Sequence, residues 1–266
     1  MKNMRFFTVL MIVVFFGFSS VLMAQTRERP TPQHRMFPAS VGNLSFKTFG
    51  LAFPGITINS VMTDTVYVVN NWTKPMTLSF KSLPDYITCK IIPETLKPQE
   101  EGKIAVTFDA KKKGEYGRII DHINLMTNDT VRPEKRIILS PDVLPDFSVL
   151  TPEERAGTPV ITFDNKESNF GTINEGDVVT VKYPFKNTGK RALEIYSVKG
   201  SCGCTKAQAS ATTVEPGQTG DIEATFNAKH KKGDQRYNIT VITNDVNNPS
   251  TILTISGNVK QESGQK

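Results

Sequence analysis

The sequence predicts an all-β protein of two tandem immunoglobulin-like β-sandwich domains that follow an N-terminal signal peptide. Three observations support this: the chain contains an internal repeat of domain length, its apolar residues alternate with polar ones, and turn-forming residues separate the alternating runs. Alternation over about four to eight residues is typical of strands buried on one face. Short strands of this kind, spaced by turns, favour a sandwich of two sheets.

The internal repeat is clearest where residues 106–111 (VTFDAK) match residues 224–229 (ATFNAK). A repeat this long corresponds to a whole domain, because solenoid units span only about 20 to 50 residues. Further matches occur in the same order along the chain: Asn71 with Asn187, Pro98 with Pro216, and Thr127-Asn128-Asp129 with Thr243-Asn244-Asp245.

The alternation also predicts which side chains point into each core, since residues two apart on a strand share a face. In both copies the inward positions are aliphatic or aromatic and the intervening positions are mostly polar. The predicted core residues are Met76, Leu78, Phe80, Ile104, Val106 and Phe108 in the first copy, and Val179, Val181, Tyr183, Phe185, Ile222, Ala224, Phe226, Ile239 and Val241 in the second.

The first 24 residues predict a secretory signal peptide. Lys2 and Arg5 precede an apolar run, residues 6–18, and Ala24 provides the small residue expected before a cleavage site. The run is short for a membrane span, which needs about 20 apolar residues, although an uncleaved anchor is an alternative. We therefore expect an exported protein of the periplasm or cell surface, with no transmembrane segment in the mature chain.

Composition shifts divide the rest of the chain. Prolines punctuate two stretches, which we interpret as a flexible leader and a semi-rigid, largely extended linker. The expected order is a leader at 25–40, a divergent sandwich at 41–140, a Pro-rich linker at 141–159, a second sandwich with a Cys-Gly-Cys motif at 160–260, and a polar tail at 261–266.

The charge and the motifs of the sequence give little support for nucleic-acid binding or for common hydrolase chemistry. The formal net charge of +6 is modest and spread along the chain, so it gives little reason to expect a nucleic-acid partner. Two basic runs, residues 111–113 and 229–232, are best interpreted as solvated turns, with contact to an anionic surface as the alternative. The chain contains no His-Glu-x-x-His or Gly-x-Ser-x-Gly motif.

The second copy resembles a known family through six ordered motifs: residues 169–173 (NFGTI), 175–177 (EGD), 185–189 (FKNTG), 201–205 (SCGCT), 215–218 (EPGQ) and 225–227 (TFN). They resemble the bacterial family of exported Ig-like domains of unknown function, DUF1573, which is similar in fold to PapD-like, major sperm protein and ASH-type sandwiches. The resemblance spans about residues 160–259. It implies the fold and export, and the family has no agreed activity.

Cys202 and Cys204 are the most promising chemical pair. If they lie on an extended strand, both sulfurs point to the same face, and Gly203 lets the backbone bend between them. The pair could be free or structural thiols, a redox-active disulfide near the upper limit of Cα separation, a metal site for Cu(I) or zinc, or a catalytic nucleophile. Further metal ligands would be His230 or Cys89, the third cysteine.

We therefore expect a non-catalytic structural or protein-interaction module of the bacterial periplasm or cell envelope, with a protein or envelope component as partner. It is not expected to be an enzyme or to need a cofactor. The alternative is a thiol-dependent metal carrier, for Cu(I) or zinc, or a redox carrier, acting through Cys202 and Cys204. An enzyme with its site between the domains would need converging carboxylates or a histidine pair there.

Overall fold

The structure is a computed structural model that describes residues 36–261. The predicted signal peptide, most of the predicted leader and nearly all of the predicted tail lie outside these residues. Strands dominate, and the helices α1 (Ala110–Lys113) and α2 (Pro152–Ala156) are short. None of the helices between residues 36 and 261 is long and apolar enough to cross a membrane. The predicted all-β fold is confirmed.

The first sandwich contains eleven strands: β1 (Ala39–Val41), β2 (Leu44–Phe46), β3 (Gly50–Thr57), β4 (Val61–Asn70), β5 (Met76–Phe80), β6 (Ile87–Ile92), β7 (Thr95–Leu96), β8 (Glu101–Asp109), β9 (Gly117–Arg118), β10 (Asp121–Thr127) and β11 (Glu134–Leu144). One sheet has the order β1-β2-β4-β8-β6. The other has the order β3-β11-β10-β5-β7, and β9 also pairs with β11.

The second sandwich contains nine strands: β12 (Ile161–Phe163), β13 (Glu167–Asn174), β14 (Val178–Asn187), β15 (Leu193–Gly200), β16 (Thr205–Ala209), β17 (Thr213–Val214), β18 (Thr219–Asn227), β19 (Gly233–Thr243) and β20 (Ser250–Lys260). Its sheets have the orders β12-β14-β18-β16 and β13-β20-β19-β15-β17. Both sandwiches pair an edge strand in parallel with their last strand, β3 with β11 and β13 with β20. The internal repeat is therefore a repeat of topology.

The cores lie between the facing sheets, as the alternation predicts. On β8, Ile104, Val106 and Phe108 are fully buried, and intervening residues such as Lys103 are not. Val179, Val181 and Phe80 are only partly buried, and they pack against the cores. The remaining predicted core residues are buried: Met76, Leu78, Tyr183, Phe185, Ile222, Ala224, Phe226, Ile239 and Val241.

One correspondence in the predicted repeat was wrong by one residue. Asn187 is fully buried, and its side-chain amide donates to the carbonyl groups of Arg191 and Val214. The residue with the same role in the first sandwich is the buried Asn70, not Asn71, because Asn70 donates to Lys74 and Leu96. Both asparagines end a strand and supply the buried hydrogen bonds that fix the following turn.

The repeated Thr-Asn-Asp motif has a stronger role than the turn signal that the sequence suggests. Asp129 and Asp245 are both buried. The carboxylate of Asp129 accepts hydrogen bonds from the backbone and side-chain amides of Asn43, and that of Asp245 accepts from the backbone amide of Ile161. Each aspartate therefore fastens the first strand region of its own sandwich to the turn before the last strand.

The predicted boundaries differ from the structure at the leader and at the linker. Phe37 is buried and β1 begins at Ala39, so the end of the predicted leader, residues 25–40, belongs to the first sandwich. The predicted linker, residues 141–159, begins too early because β11 continues to Leu144. Pro141 is accommodated there because the register between β11 and β3 shifts after it. The later part of the linker is not extended throughout, since it contains α2.

The two sandwiches contact each other through the segment between α1 and β9. The rings of Tyr116 and Tyr196 stack with their centroids 4.6 Å apart. The ammonium of Lys199 lies 3.4 Å from a carboxylate oxygen of Glu115. Burial, together with the charge of Glu194 and the neighbouring Tyr116, raises the pKa of Tyr196 to about 12. Tyr196 therefore stays neutral within this contact across the physiological pH range.

Candidate functional site

The Cys-Gly-Cys motif lies in the turn between β15 and β16. Strand β15 belongs to the five-stranded sheet of the second sandwich, and β16 is an edge strand of the opposite sheet. The turn, residues 201–204, is therefore the place where the chain crosses from one sheet to the other. Both cysteines are partly buried, while Ser201 and Gly203 are exposed.

Backbone hydrogen bonds hold the crossover turn at both ends. The amide of Ser201 donates to the carbonyl of Asn238 at 2.8 Å, which ties the start of the turn to β19. The amide of Asn227 donates to the carbonyl of Cys204 at 2.9 Å, which ties its end to β18. Within the turn, the amide of Thr205 donates to the carbonyl of Cys202 at 3.2 Å.

Gly200 is required immediately before the turn. A Cβ atom at this position would collide with the backbone carbonyl of Thr205, because the chain folds back on itself there. Gly203 is different, since a Cβ atom built on it meets nothing within 4 Å. The glycine that the sequence singles out as a bend is therefore less constrained than the one before the motif.

Cys202 and Cys204 are joined by a disulfide bond, with their Cα atoms 5.2 Å apart. This separation lies well inside the usual range for disulfides, which is about 4.4 to 6.8 Å. If the pair lay on an extended strand, the separation would approach the upper limit of this range. Residues 201–204 form a turn instead, and the turn brings the two residues closer together.

Hydrogen-bond donors surround the two sulfurs unequally. The backbone amide of Cys204 donates to the Sγ atom of Cys202 at 3.2 Å. The hydroxyl of Thr205 lies 3.6 Å from the Sγ atom of Cys202 and 3.9 Å from that of Cys204. Thr205 itself is buried. Thr205 is a residue that the sequence-based prediction did not single out, although it directly follows the second cysteine.

The predicted additional metal ligands are not gathered around the pair. Cys89 lies on β6, an edge strand of the first sandwich, and burial raises the pKa of its thiol to about 12. His230 is largely exposed and lies 3.9 Å from Glu175. Among residues 36–261, no three His, Cys, Asp or Glu side chains form a group that could hold a metal ion. The metal prediction for Cys202 and Cys204 concerns the reduced protein, where the sulfurs are not bonded to each other.

In the first sandwich, Pro84 and Tyr86 take the places of the two cysteines. The amide of Ile87 donates to the carbonyl of Pro84, and the amide of Asp109 donates to that of Tyr86, as Thr205 and Asn227 do in the second sandwich. The ring of Tyr86 packs edge-on against Phe108 with the centroids 6.1 Å apart. A proline and an aromatic ring therefore stabilise the crossover turn that the disulfide closes in the second sandwich.

Lys111 and Lys112 of the first basic run are exposed, and Lys113, at the end of α1, is partly buried. The ammonium of Lys113 lies 4.4 Å from the ring centroid of Tyr86 and 3.0 Å from its hydroxyl oxygen. It also lies 3.2 Å from Glu115 and 3.4 Å from Asp121. Partial burial opposes the charge of Lys113, but the hydrogen bonds and the two carboxylates outweigh burial and raise the pKa of Lys113. The second run, residues 229–232, has the same pattern, because Lys231 is partly buried and the other three residues are exposed.

A cleft of about 490 Å³ lies between the two sandwiches. Side chains from both of them line it, including Arg118, Ile120, Lys199 and Ile252. Asp142 is the one carboxylate among its lining residues, and they include no histidine. The cleft therefore lacks the converging carboxylates or histidine pair that an enzyme hypothesis requires.

A comparison with protein families found a match for the second sandwich. Residues 161–259 match the family described as protein of unknown function (DUF1573). This confirms the resemblance that the six motifs indicate. A comparison with curated proteins found no match to the chain.

One solved structure supports the fold over most of the described region. A protein of unknown function from Porphyromonas gingivalis W83 is similar, with a TM-score of 0.65 and 17% identity over 82% of this chain and 100% of that chain. The ASH/PapD-like domain 7 of human CEP192 matches with a TM-score of 0.34 and 14% identity, over 45% of this chain and 100% of that domain. The periplasmic chaperone SfaE matches with a TM-score of 0.30 and 16% identity, over 82% of this chain and 100% of the chaperone chain. Scores as low as the last two do not bear on function.

Proposed function

We propose that this chain is a non-catalytic protein-interaction module of the bacterial periplasm or cell envelope. The observation that carries this is the open edge of the second sandwich at β16, which pairs with β18 on one side. In the described part of the chain, no strand pairs with its other side. An extended segment of a partner can add to such an edge through backbone hydrogen bonds. Export rests on the predicted signal peptide.

The backbone groups available at this edge follow from the pairing. The carbonyl of Cys204 accepts from Asn227, and the amide of Ser210 donates to the carbonyl of Asp221. The backbone groups of even-numbered residues therefore point toward β18, because donors and acceptors alternate sides along a strand. Those of Ala207 and Ala209 point away and are free to pair with a partner strand.

The experiment compares Ala209→Pro with Ala209→Val. Proline removes the outward amide of residue 209, whereas valine keeps it and favours a strand. Chemical cross-linking in cells followed by affinity purification should recover a partner with the wild type and with Ala209→Val, and markedly less of it with Ala209→Pro. Equal recovery with both folded variants would contradict binding through this edge.

A second candidate function is thiol-dependent redox transfer through Cys202 and Cys204. The observation that favours it is the disulfide between two partly exposed cysteines. The test is equilibration of the folded protein with mixtures of reduced and oxidised glutathione, with thiols counted after alkylation. Reversible reduction with an unchanged circular dichroism spectrum supports this function, and reduction only after unfolding contradicts it.

The metal alternative applies to the reduced pair. Two thiolates suit Cu(I), and they would form half of a zinc site. Titration of the reduced protein with Cu(I), and separately with zinc, should show binding that Cys202→Ser abolishes. Equally weak binding by the wild type and the variant would contradict it.

A further inference from the structure

We propose that the Cys202–Cys204 disulfide is a directional thiol-exchange site, in which an incoming thiolate attacks the Sγ atom of Cys204 and Cys202 is the leaving group. The inference rests on the redox candidate above and adds to it the identity of the attacked sulfur. The preference arises from the unequal hydrogen bonding of the two sulfurs.

The leaving sulfur is the one that hydrogen bonds stabilise as a thiolate. The amide of Cys204 donates to the Sγ atom of Cys202 at 3.2 Å, and the Thr205 hydroxyl is nearer to Cys202 than to Cys204. Hydrogen bonds to the charged form lower the pKa of a thiol. In thiol–disulfide exchange the thiol with the lower pKa leaves faster. Cys202 is therefore the favoured leaving group.

The donors are already in place before exchange. The amide of Thr205 is bonded to the carbonyl of Cys202, and the carbonyl of Cys204 is bonded to Asn227 on β18, so the backbone of the turn is fixed on both sides. The Thr205 side chain is buried and cannot easily turn toward solvent. A thiolate released at Cys202 would meet an amide and a hydroxyl without rearrangement of the turn.

The reaction balances with a dithiol protein as the reductant. A partner thiolate forms a bond with the Sγ atom of Cys204, and the bond between the cysteines breaks with its electron pair on Cys202, which then takes a proton from water. The second thiolate of the partner attacks the partner's own sulfur in the mixed disulfide and releases Cys204. The partner loses two electrons and becomes a disulfide, and Cys202 and Cys204 become thiols.

Cys89 is a contrasting thiol in the same chain. It is partly buried on a strand of the other sandwich, and burial raises the pKa of its thiol to about 12. A thiol of this kind forms little thiolate at neutral pH and exchanges slowly. The substitution Cys89→Ser therefore removes this third thiol from the measurement and leaves the residues of the exchange site unchanged.

The first experiment measures the two thiols separately in the Cys89→Ser background. Cys204→Ser leaves the Cys202 thiol with the amide of residue 204 still present, and Cys202→Ser leaves the Cys204 thiol. We expect iodoacetamide to alkylate Cys202 about five to ten times faster than Cys204 at pH 7. Thr205→Val should reduce this ratio and Thr205→Ser should restore it. Equal or reversed rates would overturn the inference.

The second experiment uses the intact disulfide of the Cys89→Ser protein. Brief treatment with reduced glutathione, acid quenching and peptide mapping should place the glutathione adduct mainly on Cys204. An adduct mainly on Cys202 would overturn the direction of exchange but would still support redox transfer through Cys202 and Cys204. No adduct on the folded protein would overturn both. The two failures are therefore distinguishable.

Discussion

At the scale of single residues, the most consequential contact is a buried ion pair in the first sandwich. The ammonium of Lys135 lies 2.8 Å from a carboxylate oxygen of Asp129, and both side chains are fully buried. Lys135 also donates to the carbonyl of Arg132 and to the Thr127 hydroxyl. The pair can lie inside the sandwich because each charge faces the opposite charge and further hydrogen-bond partners. Loss of either residue alone would leave the other as a buried, unpaired charge.

We predict that Lys135→Met lowers the free energy of unfolding of the first sandwich by about 3 to 5 kcal/mol, since it leaves Asp129 buried without its cation. The double variant Asp129→Asn/Lys135→Met should recover much of this loss, because it removes both charges. Urea unfolding of the three proteins measures the effect. A single variant as stable as the wild type would contradict the ion pair.

The same pair predicts the acid response. Burial alone would raise the pKa of Asp129, but the Lys135 ammonium and the amides of Asn43 and Val131 outweigh burial and lower it. The stabilisation is present above the unfolded-state pKa, about 3.9, and is lost as the pH falls toward the lower folded-state value. Between pH 5 and pH 2, the wild type should therefore lose more stability than the double variant.

At the scale of elements, the turns depend on specific residues more than the strands do. Asn70 and Asn187 each end a strand and fix the following turn through buried amide hydrogen bonds. The crossover turn in the second sandwich needs Gly200 for close approach of the backbone. These turns connect the two sheets and thereby position the disulfide beside the edge strand β16.

Asn187→Ala and Asn70→Ala should each destabilise their own sandwich by about 1 to 3 kcal/mol, because buried carbonyl groups lose their donor. Asn71→Ala is the matched control and should cost less, since Asn71 is exposed. Thermal unfolding followed by calorimetry measures the three variants. A larger effect from Asn71 than from Asn70 would restore the correspondence that the sequence alone suggests.

Gly200→Ala and Gly203→Ala form a second matched pair. The added methyl at residue 200 meets the Thr205 carbonyl, and overpacking of this kind costs about 1 to 3 kcal/mol. The methyl at residue 203 meets nothing within 4 Å and should change stability little. Equal effects of the two substitutions on chemical unfolding would contradict the geometry of the crossover turn.

The strands could be predicted from the sequence and the turns only partly. Alternation identifies Ile104, Val106 and Phe108 as a buried face because side-chain direction on a strand is a local property. The Cys202–Cys204 disulfide depends on where the chain leaves one sheet for the other, which no local pattern encodes. The sequence repeat aligned Asn71 instead of Asn70 with Asn187, because two neighbouring asparagines cannot be told apart until strand pairing decides which one faces inward.

At the scale of the molecule, two sandwiches with the same topology contact each other through stacked rings and an ion pair. Stacked rings such as Tyr116 and Tyr196 contribute about 0.5 to 1.5 kcal/mol beyond burial. The Glu115–Lys199 pair adds little, because half of the Glu115 side chain is exposed. The repeat in the sequence predicts the two bodies. It does not predict their contact, which includes residues 115–117 of the first sandwich and strands β15 and β19 of the second.

Tyr116→Ala should loosen the contact between the sandwiches while leaving each one folded. Residual dipolar couplings report the relative orientation of the two bodies, and we expect a single alignment tensor for the wild type and two different tensors for the variant. Tyr67→Ala is the control, because Tyr67 is exposed on β4 and its loss should not alter the orientation. A single tensor in all three proteins would show that the stacked rings do not hold the contact.

We expect the protein to bind a partner protein along the open edge of β16. The most direct test is photo-cross-linking in living cells with a reactive amino acid at Gln208, on β16, and at Lys182, on the inner strand β14 of the same sheet. Both side chains are exposed, so they differ chiefly in their distance from the edge. We expect a discrete protein adduct from position 208 and none from position 182. No adduct from either position, or equal adducts from both, would contradict it.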